Sequence, residues 1–383
     1  MKILMTEVGN ASPGDEAITI AAARRLLSIG MKLTIGFRTS LEPSFYRSRL
    51  NADHLHLPIQ PIGPHHSTID SLVSSVKISQ PIAYQNLCKA VADSNAVCVA
   101  PGGKYLDGFD NALKLITISI ARKLGVPYYI LHQSVGPITN SNDASLIREV
   151  FEGATLVVAR EDMTYAYLQD LLPSASNIVL GGDAALPEEY PQSDSVTFAL
   201  GINLRWSSIG HSTLEGLHVF LSKYRSNNKT HPILIYSTTT SLPSDVVALA
   251  AKFDCACRTT WIQNPDYLRL VGSCHTNISD SLHGVLFSIK ARVPAISLQP
   301  DMNSWKLKAL KGNQNETLNI FPSLRNSSDA ELILAEVNRI QSSSQFRDDI
   351  LCRQAAILDR GNHLAILAWN VIYDSLLKTE SLP

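Results

Sequence analysis

Residues 96–131 read AVCVAPGGKYLDGFDNALKLITISIARKLGVPYYIL. Ala96 to Ala100 is apolar without alternation, the pattern of a strand buried on both faces. Ala112 to Leu124 carries a helical apolar repeat and stops at Gly125 and Pro127. Tyr128 to Leu131 is apolar again. Strand, glycine-bearing loop, helix and strand make the βαβ unit of a parallel sheet.

The same alternation extends both ways from this unit. Toward the N-terminus, Ile3 to Met5 reads as a strand and Ala17 to Ile29 as a helix with Ile18, Ala21, Ala22, Leu26 and Ile29 on one face. Toward the C-terminus come a strand at Thr155 to Val158, a helix at Met163 to Leu172 and a strand at Ile178 to Leu180. Residues 186–195, LPEEYPQSDS, have linker composition. Beyond them the pattern restarts. Strands are expected at Thr197 to Ile202, Ile233 to Tyr236, Thr276 to Ser279 and Ala295 to Leu298, with helices between them. Arg347 to Leu377 reads as a helical tail with Gly361 as its expected break. The expected organisation is α/β: two Rossmann-like parallel-sheet domains, 1–190 and 191–345, facing a cleft, with a tail at 346–383 returning to the first domain. Ligands of such sheets sit beyond the carboxyl ends of the strands, so the chemistry belongs in the strand-to-helix loops.

Composition narrows the function. Charged residues are 17% of the 383, and 33 Lys+Arg balance 34 Asp+Glu to a net charge of −1. This excludes disorder, and it leaves no basic excess for nucleic acid. No apolar run reaches the length of a transmembrane helix. The 6 cysteines form no CxxC pair, so neither a zinc site nor another metal site is expected. Their scatter suits a reducing compartment, the cytoplasm.

Several loops have polar residues suited to a ligand. Asn10, Gly14 and Asp15 lie where the first strand enters its helix, but the spacing is neither GxGxxG nor a P-loop. Asp15 and Glu16 there either cap the helix or meet a ligand. In Pro101-Gly102-Gly103-Lys104-Tyr105-Leu106-Asp107 the glycines allow close backbone approach. Lys104 suits an anion, and Asp107 is either a cap or a base. His132-Gln133-Ser134 follows a strand, as does Arg160-Glu161-Asp162, which reads as an ion pair or a site. Asp183 stands near the linker. In the second half Arg205 follows an apolar strand and suits a carboxylate or phosphate. Ser279-Asp280-Ser281-Leu282-His283-Gly284 opens a helix, and Lys306 lies in a comparable place after Leu298.

In order, Gly14-Asp15-Glu16-Ala17, Pro101-Gly102-Gly103 through Asp107, Ser134-Val135-Gly136-Pro137, Arg160-Glu161-Asp162, Asp183-Ala184 and Ser279 to Gly284 resemble the motifs of the polysaccharide pyruvyl transferase family. The resemblance implies a GT-B-like fold with an acceptor side in the first domain and a donor side in the second. It implies phosphoenolpyruvate as donor substrate, no cofactor, and a sugar or glycan acceptor that becomes a cyclic pyruvate ketal. It makes His283, Asp107 and Arg205 catalytic. Asn10, Gly14, Asp15, Gly102, Gly103, Lys104, Ser134, Arg160, Asp183, Ser281, Leu282, Gly284 and Lys306 are expected to bind substrate. Ser281 stands where one form of the histidine motif has Arg, so the donor's charge falls to Arg205, Lys306, Lys104 or Arg160. The alternatives are a GT-B glycosyltransferase using a nucleotide sugar and a non-catalytic carbohydrate-binding relative.

Overall fold

Strand pairing in the computed structural model is parallel throughout its two sheets. The structure describes residues 1–8, 12–37, 49–59, 66–107, 109–189, 193, 195–205, 211–237, 242–258, 264–299, 307 and 320–380. The chain divides into two compact units. One comprises residues 1–10, 15–187 and 361–383, and the other residues 11–14 and 188–360.

The first unit holds β1 (Lys2–Thr6), β2 (Lys32–Phe37), β3 (Asp53–His56), β4 (Ala96–Val99), β5 (Gly102–Tyr105), β6 (Tyr128–Val135), β7 (Leu156–Ala159) and β8 (Ile178–Leu180). They form one 8-stranded sheet in the order β3-β2-β1-β4-β6-β7-β8, with β5 paired to β6. Its helices include α1 (Pro13–Ser28), α2 (Ile69–Ser79), α3 (Pro81–Ala92), α4 (Asn111–Lys123), α5 (Ser141–Glu152) and α6 (Asp162–Leu171). Strand alternation buries both faces. Leu4, Val97, Val99, Ile130 and Val157 join a core with α2 to α5, whereas Ile3, Met5, Ala96, Cys98, Leu131 and Val158 join one with α1. Side-chain caps start the helix expected after Asp110 and a further one, α5, that the sequence pattern did not indicate. The Asp110 carboxylate accepts from the Leu113 N–H at 2.9 Å to cap α4, and Asn140 caps α5.

The second unit repeats the plan. It has β9 (Leu200–Leu204), β10 (Ile233–Ser237), β11 (Ala256–Arg258), β12 (Asn277–Ser279), β13 (Ala295–Gln299) and β14 (Ile320–Pro322), in the order β11-β10-β9-β12-β13-β14. Its helices are α7 (His211–Asn227), α8 (Ser244–Lys252), α9 (Asn264–Gly272), α10 (Leu282–Lys290) and α11 (Ser327–Ser342). In each sheet the order reverses beside the first strand, between β1 and β4 and between β9 and β12. Those two switch points open the crevices in which such sheets bind ligands.

The tail is a single helix, α12 (Ser344–Glu380), and it runs unbroken through Gly361. Glycine mid-helix costs only about 1 kcal/mol, and here it removes a clash. A Cβ at Gly361 would meet Leu186 at 2.5 Å, and one at Gly182 would strike the Gly361 carbonyl. The C-terminal part of α12 covers the β1–β4–β6 face with Ala368, Trp369, Ile372 and Leu376. Among the described residues, no helix is long and apolar enough to cross a membrane.

Candidate functional site

At the switch point of the second sheet, Arg205 follows β9 and Asp280 follows β12. Asp280 holds Arg205 twice. Its Oδ1 accepts from the Arg205 backbone N–H at 2.9 Å, and its Oδ2 lies 3.8 Å from Nε. Burial pushes the Asp280 carboxyl up to about 6, against the lowering charge and N–H of Arg205. The Arg205 side chain keeps 26% of its surface open.

Helix α10 begins beside this pair. Ser281 is its N-cap, accepting from the Gly284 N–H at 2.9 Å, and the Ser279 hydroxyl accepts from the Ser281 N–H at 3.2 Å. Amides of an opening turn favour an anion. His283 is in that turn, partly buried, with its ring stacked 5.7 Å from Phe287. Leu282 packs into the apolar cluster under the helix. Gly284 is required by space, since a Cβ would lie 2.8 Å from Asn203 Nδ2 and 2.9 Å from Ser281 Oγ. Gly14, grouped with this unit, packs so closely on the His283 ring that a Cβ there would overlap it.

Beneath the switch point lies a buried polar chain. Asn203 Nδ2 donates to Tyr267 Oη at 2.5 Å, Tyr236 Oη donates to Asn277 Oδ1 at 2.9 Å, and Asn277 Nδ2 donates to Ser288 Oγ at 2.6 Å. Burial pushes both tyrosines well above their ordinary range. These bonds fix the strand ends that carry Arg205 and Asp280. Asn203 and the Asp280–Arg205 pairing were not singled out in the sequence. Their signal was polar residues closing an apolar strand.

Of the expected residues of the first unit, Ser134, Arg160 and Asp183 bond to one another. Arg160 Nη2 donates to Ser134 Oγ, Nε pairs with Glu161 at 3.1 Å, and Nη1 pairs with Asp183 at 3.5 Å. Asp183 also accepts from the Ala185 N–H at 3.0 Å. Asp107 is exposed, and Thr139 donates to both its oxygens, from the backbone N–H at 2.8 Å and from Oγ1 at 2.7 Å. Gly102 and Gly103 form strand β5 rather than a loop, and Lys104 folds back over Gly102 to donate to the Ala100 carbonyl at 2.6 Å. Likewise His132, Gln133 and Ser134 lie inside β6, which extends to Val135. Asp15 is in the first turn of α1, and its neighbour Glu16 is buried in a 3.1 Å ion pair with Arg49. Asn10 and Lys306 lie outside the described residues.

A family model for polysaccharide pyruvyl transferases matches residues 13–301. The chain belongs to that family. Membership makes it a transferase. A search of curated proteins finds no match. Among solved structures it is similar to a UDP-GlcNAc 2-epimerase from Neisseria meningitidis bound to UDP-GlcNAc, at 13% identity and TM-score 0.65 over 99% of this chain and 100% of that one. A glycosyltransferase from Rickettsia africae is similar at 13% identity and TM-score 0.64 over 98% of each chain. Phytolacca americana UGT2, complexed with UDP-2fluoro-glucose and pterostilbene, is similar at 13% identity and TM-score 0.63 over 99% of this chain and 100% of that one. At such identity the likeness concerns the fold, which is GT-B-like.

Proposed function

We propose that the chain moves the pyruvate unit of phosphoenolpyruvate onto two hydroxyls of a sugar in a glycan or glycolipid precursor, forming a ketal. The observation that carries this reading is the second switch point. An arginine oriented by Asp280 and a histidine in the opening turn of α10 stand at neighbouring strand ends. Arg205 suits the donor's carboxylate or phosphate. His283 suits protonation of the methylene carbon, and a carboxylate receives the acceptor's proton. Phosphate then leaves as the second hydroxyl closes the ring.

Nucleotide-sugar transfer is the competing reading, because UDP sugars occupy two of the similar structures. An acid near the donor would then hold the ribose. Asp280 is spent on Arg205 instead, which favours phosphoenolpyruvate.

Thermal shift with phosphoenolpyruvate and with UDP-GlcNAc separates the two, with a shift expected only for the former. In a phosphate-release assay His283→Ala is expected to lose about 10²- to 10⁴-fold in rate, the range of a positioned acid–base group. Unchanged rates in a folded His283→Ala protein would sink the assignment.

A further inference from the structure

The segment that leaves β5 for α4 holds an aromatic ring in water. β5 runs parallel to β6, so the residues after Tyr105 stand at the carboxyl edge of the first sheet, where such sheets meet ligands. Among the described residues, Phe109 is the only phenylalanine, tyrosine or tryptophan that is exposed, at 40%. It is nevertheless held in place. Its N–H donates to the Leu106 carbonyl at 3.3 Å, and its carbonyl accepts from the Asn111 N–H at 2.9 Å. Lys114 Nζ lies 3.8 Å from the ring centroid and donates to the Lys104 carbonyl at 2.7 Å. A cation is attracted to the face of an aromatic ring. Lys114 thus ties Phe109 to the backbone of β5, taking one face of the ring and leaving the rest open.

The neighbours of the ring select its partner. Asp107 and Asp110 flank it in the chain, and both are exposed. Each is steadied by backbone, Asp107 by the Thr139 N–H at 2.8 Å and Asp110 by the Leu113 N–H at 2.9 Å. A carboxylate offers about four acceptor sites, so each can still accept from a ligand. One ring bordered by two carboxylates is too small an apolar patch for protein docking, and the carboxylates repel an anion. A neutral pyranose fits both features. The C–H bonds on one of its faces meet the electron-rich face of the ring, and its hydroxyls donate to carboxylates.

We propose that Phe109 is a platform on which a neutral pyranose stacks, with Asp107 and Asp110 accepting from its hydroxyls. All three residues belong to one segment of the first unit. Calling this sugar the acceptor rests on the pyruvyl-transfer reading, but the binding itself does not. Stacking on Phe109 sets the plane of the sugar, and the two carboxylates set its rotation in that plane. Phe109 is then a specificity-determining residue, favouring sugars with an uninterrupted C–H face.

The test uses Phe109→Leu, which keeps an apolar side chain but removes the aromatic face, and Phe109→Tyr, which keeps the face. Saturation-transfer NMR takes the methyl α-glycosides of galactose, glucose and mannose as probes. The unaltered protein and Phe109→Tyr are expected to give signal with at least one, strongest at the C–H protons of one ring face. Phe109→Leu is expected to lose that signal while keeping the Tm of the unaltered protein. Equal signal in Phe109→Leu, no signal in Phe109→Tyr, or no signal from any glycoside overturns the proposal. So does a Phe109→Leu protein that melts well below the unaltered one, since the ring would then serve packing. Thermal shift with phosphoenolpyruvate alone is expected to be the same in all three proteins. Its absence from the unaltered protein would remove the donor reading, while the glycoside result still decides Phe109.

Discussion

Arg160 and Arg205 each follow the end of a parallel strand, and they are held in opposite ways. Arg160 is 4% exposed and meets Ser134, Glu161 and Asp183. Arg205 is 26% exposed, and its carboxylate partner stands 3.8 Å away while gripping the backbone beside it. The contrast teaches where charge is consumed inside the protein and where it is turned toward a ligand. In the first sheet two carboxylates, Glu161 and Asp183, take up the one guanidinium of Arg160, so no positive charge is left for an anion. In the second they leave a guanidinium beside a helix N-terminus, which suits an anion.

The largest effects come from deleting each arginine. Arg160→Ala leaves Glu161 and Asp183 without their buried cation. It is expected to cost about 3–5 kcal/mol of stability in urea unfolding. Arg205→Ala is expected to change stability by about 1 kcal/mol or less, since its pair is partly exposed. It should nevertheless lower kcat/KM for phosphoenolpyruvate by about 10²-fold or more, as loss of a charge-stabilising group does. An Arg160→Ala protein that stays fully stable, or an Arg205→Ala protein that stays fully active, would break the contrast.

Titration sharpens it further. His132 is fully buried, bonded through Nδ1 to the Gly182 carbonyl at 2.7 Å and tilted against Trp369 at 5.2 Å. Burial lowers its imidazole from 6.5 to about 4. Between those values the unfolded chain binds the proton more readily than the folded one. Stability therefore falls as pH drops from 6.5 toward 4, by up to about 1.4 kcal/mol per pH unit. Unfolding of His132→Gln, compared over that window, is expected to lack this slope.

Asp280 shifts the other way, from 3.8 up to about 6. Its protonated form favours the folded state at low pH, and that contribution fades as pH rises through about 6. The ionised form above that pH is the one that orients Arg205. Donor affinity is therefore expected to improve about two- to fivefold on going from pH 5 to pH 7, the worth of a partly exposed ion pair. Asp280→Asn should flatten this gain. The donor's own phosphate titrates identically for both proteins, so the difference between their thermal-shift profiles reports Asp280.

Both parallel sheets were legible because their central strands are apolar on both sides, as in Ala96 to Val99 and Leu200 to Ile202, although the second strand starts three residues later than the expected Thr197 and runs on to Leu204. The end of β6 was not. His132, Gln133 and Ser134 read as a loop because they are polar, yet each is buried within the strand and bonded sideways to Gly182, Ala100 and Arg160. Gly361 read as a helix break because a sequence carries propensity but not the neighbour, here Leu186, that needs the missing Cβ. Short outer strands such as β3 and β14 escaped notice for lack of any apolar run. Among the candidate residues, Arg205 was read at the end of an apolar strand and His283 in a turn that opens a helix, and the structure puts them there.

The smallest expected effect concerns Ser281, which stands where another form of the family's motif has Arg. Its hydroxyl caps α10 through the Gly284 N–H, and Ala in its place is expected to cost about 1 kcal/mol. Ser281→Asp keeps the cap and the Tm, but brings a negative charge to the helix N-terminus beside Arg205. Phosphoenolpyruvate should then bind more weakly. Ser281→Arg gives up the cap and adds a cation, so it is expected to lose about 1 kcal/mol of stability while tightening phosphoenolpyruvate severalfold. Affinity thus moves in opposite directions in the two variants while stability falls only in Ser281→Arg, a pattern that a purely structural serine would not produce. Thermal melts with and without phosphoenolpyruvate read both quantities from one series. If both variants bind the donor as the unaltered protein does, the anion is held elsewhere than at this helix end, and the contrast between the two switch points loses its second half.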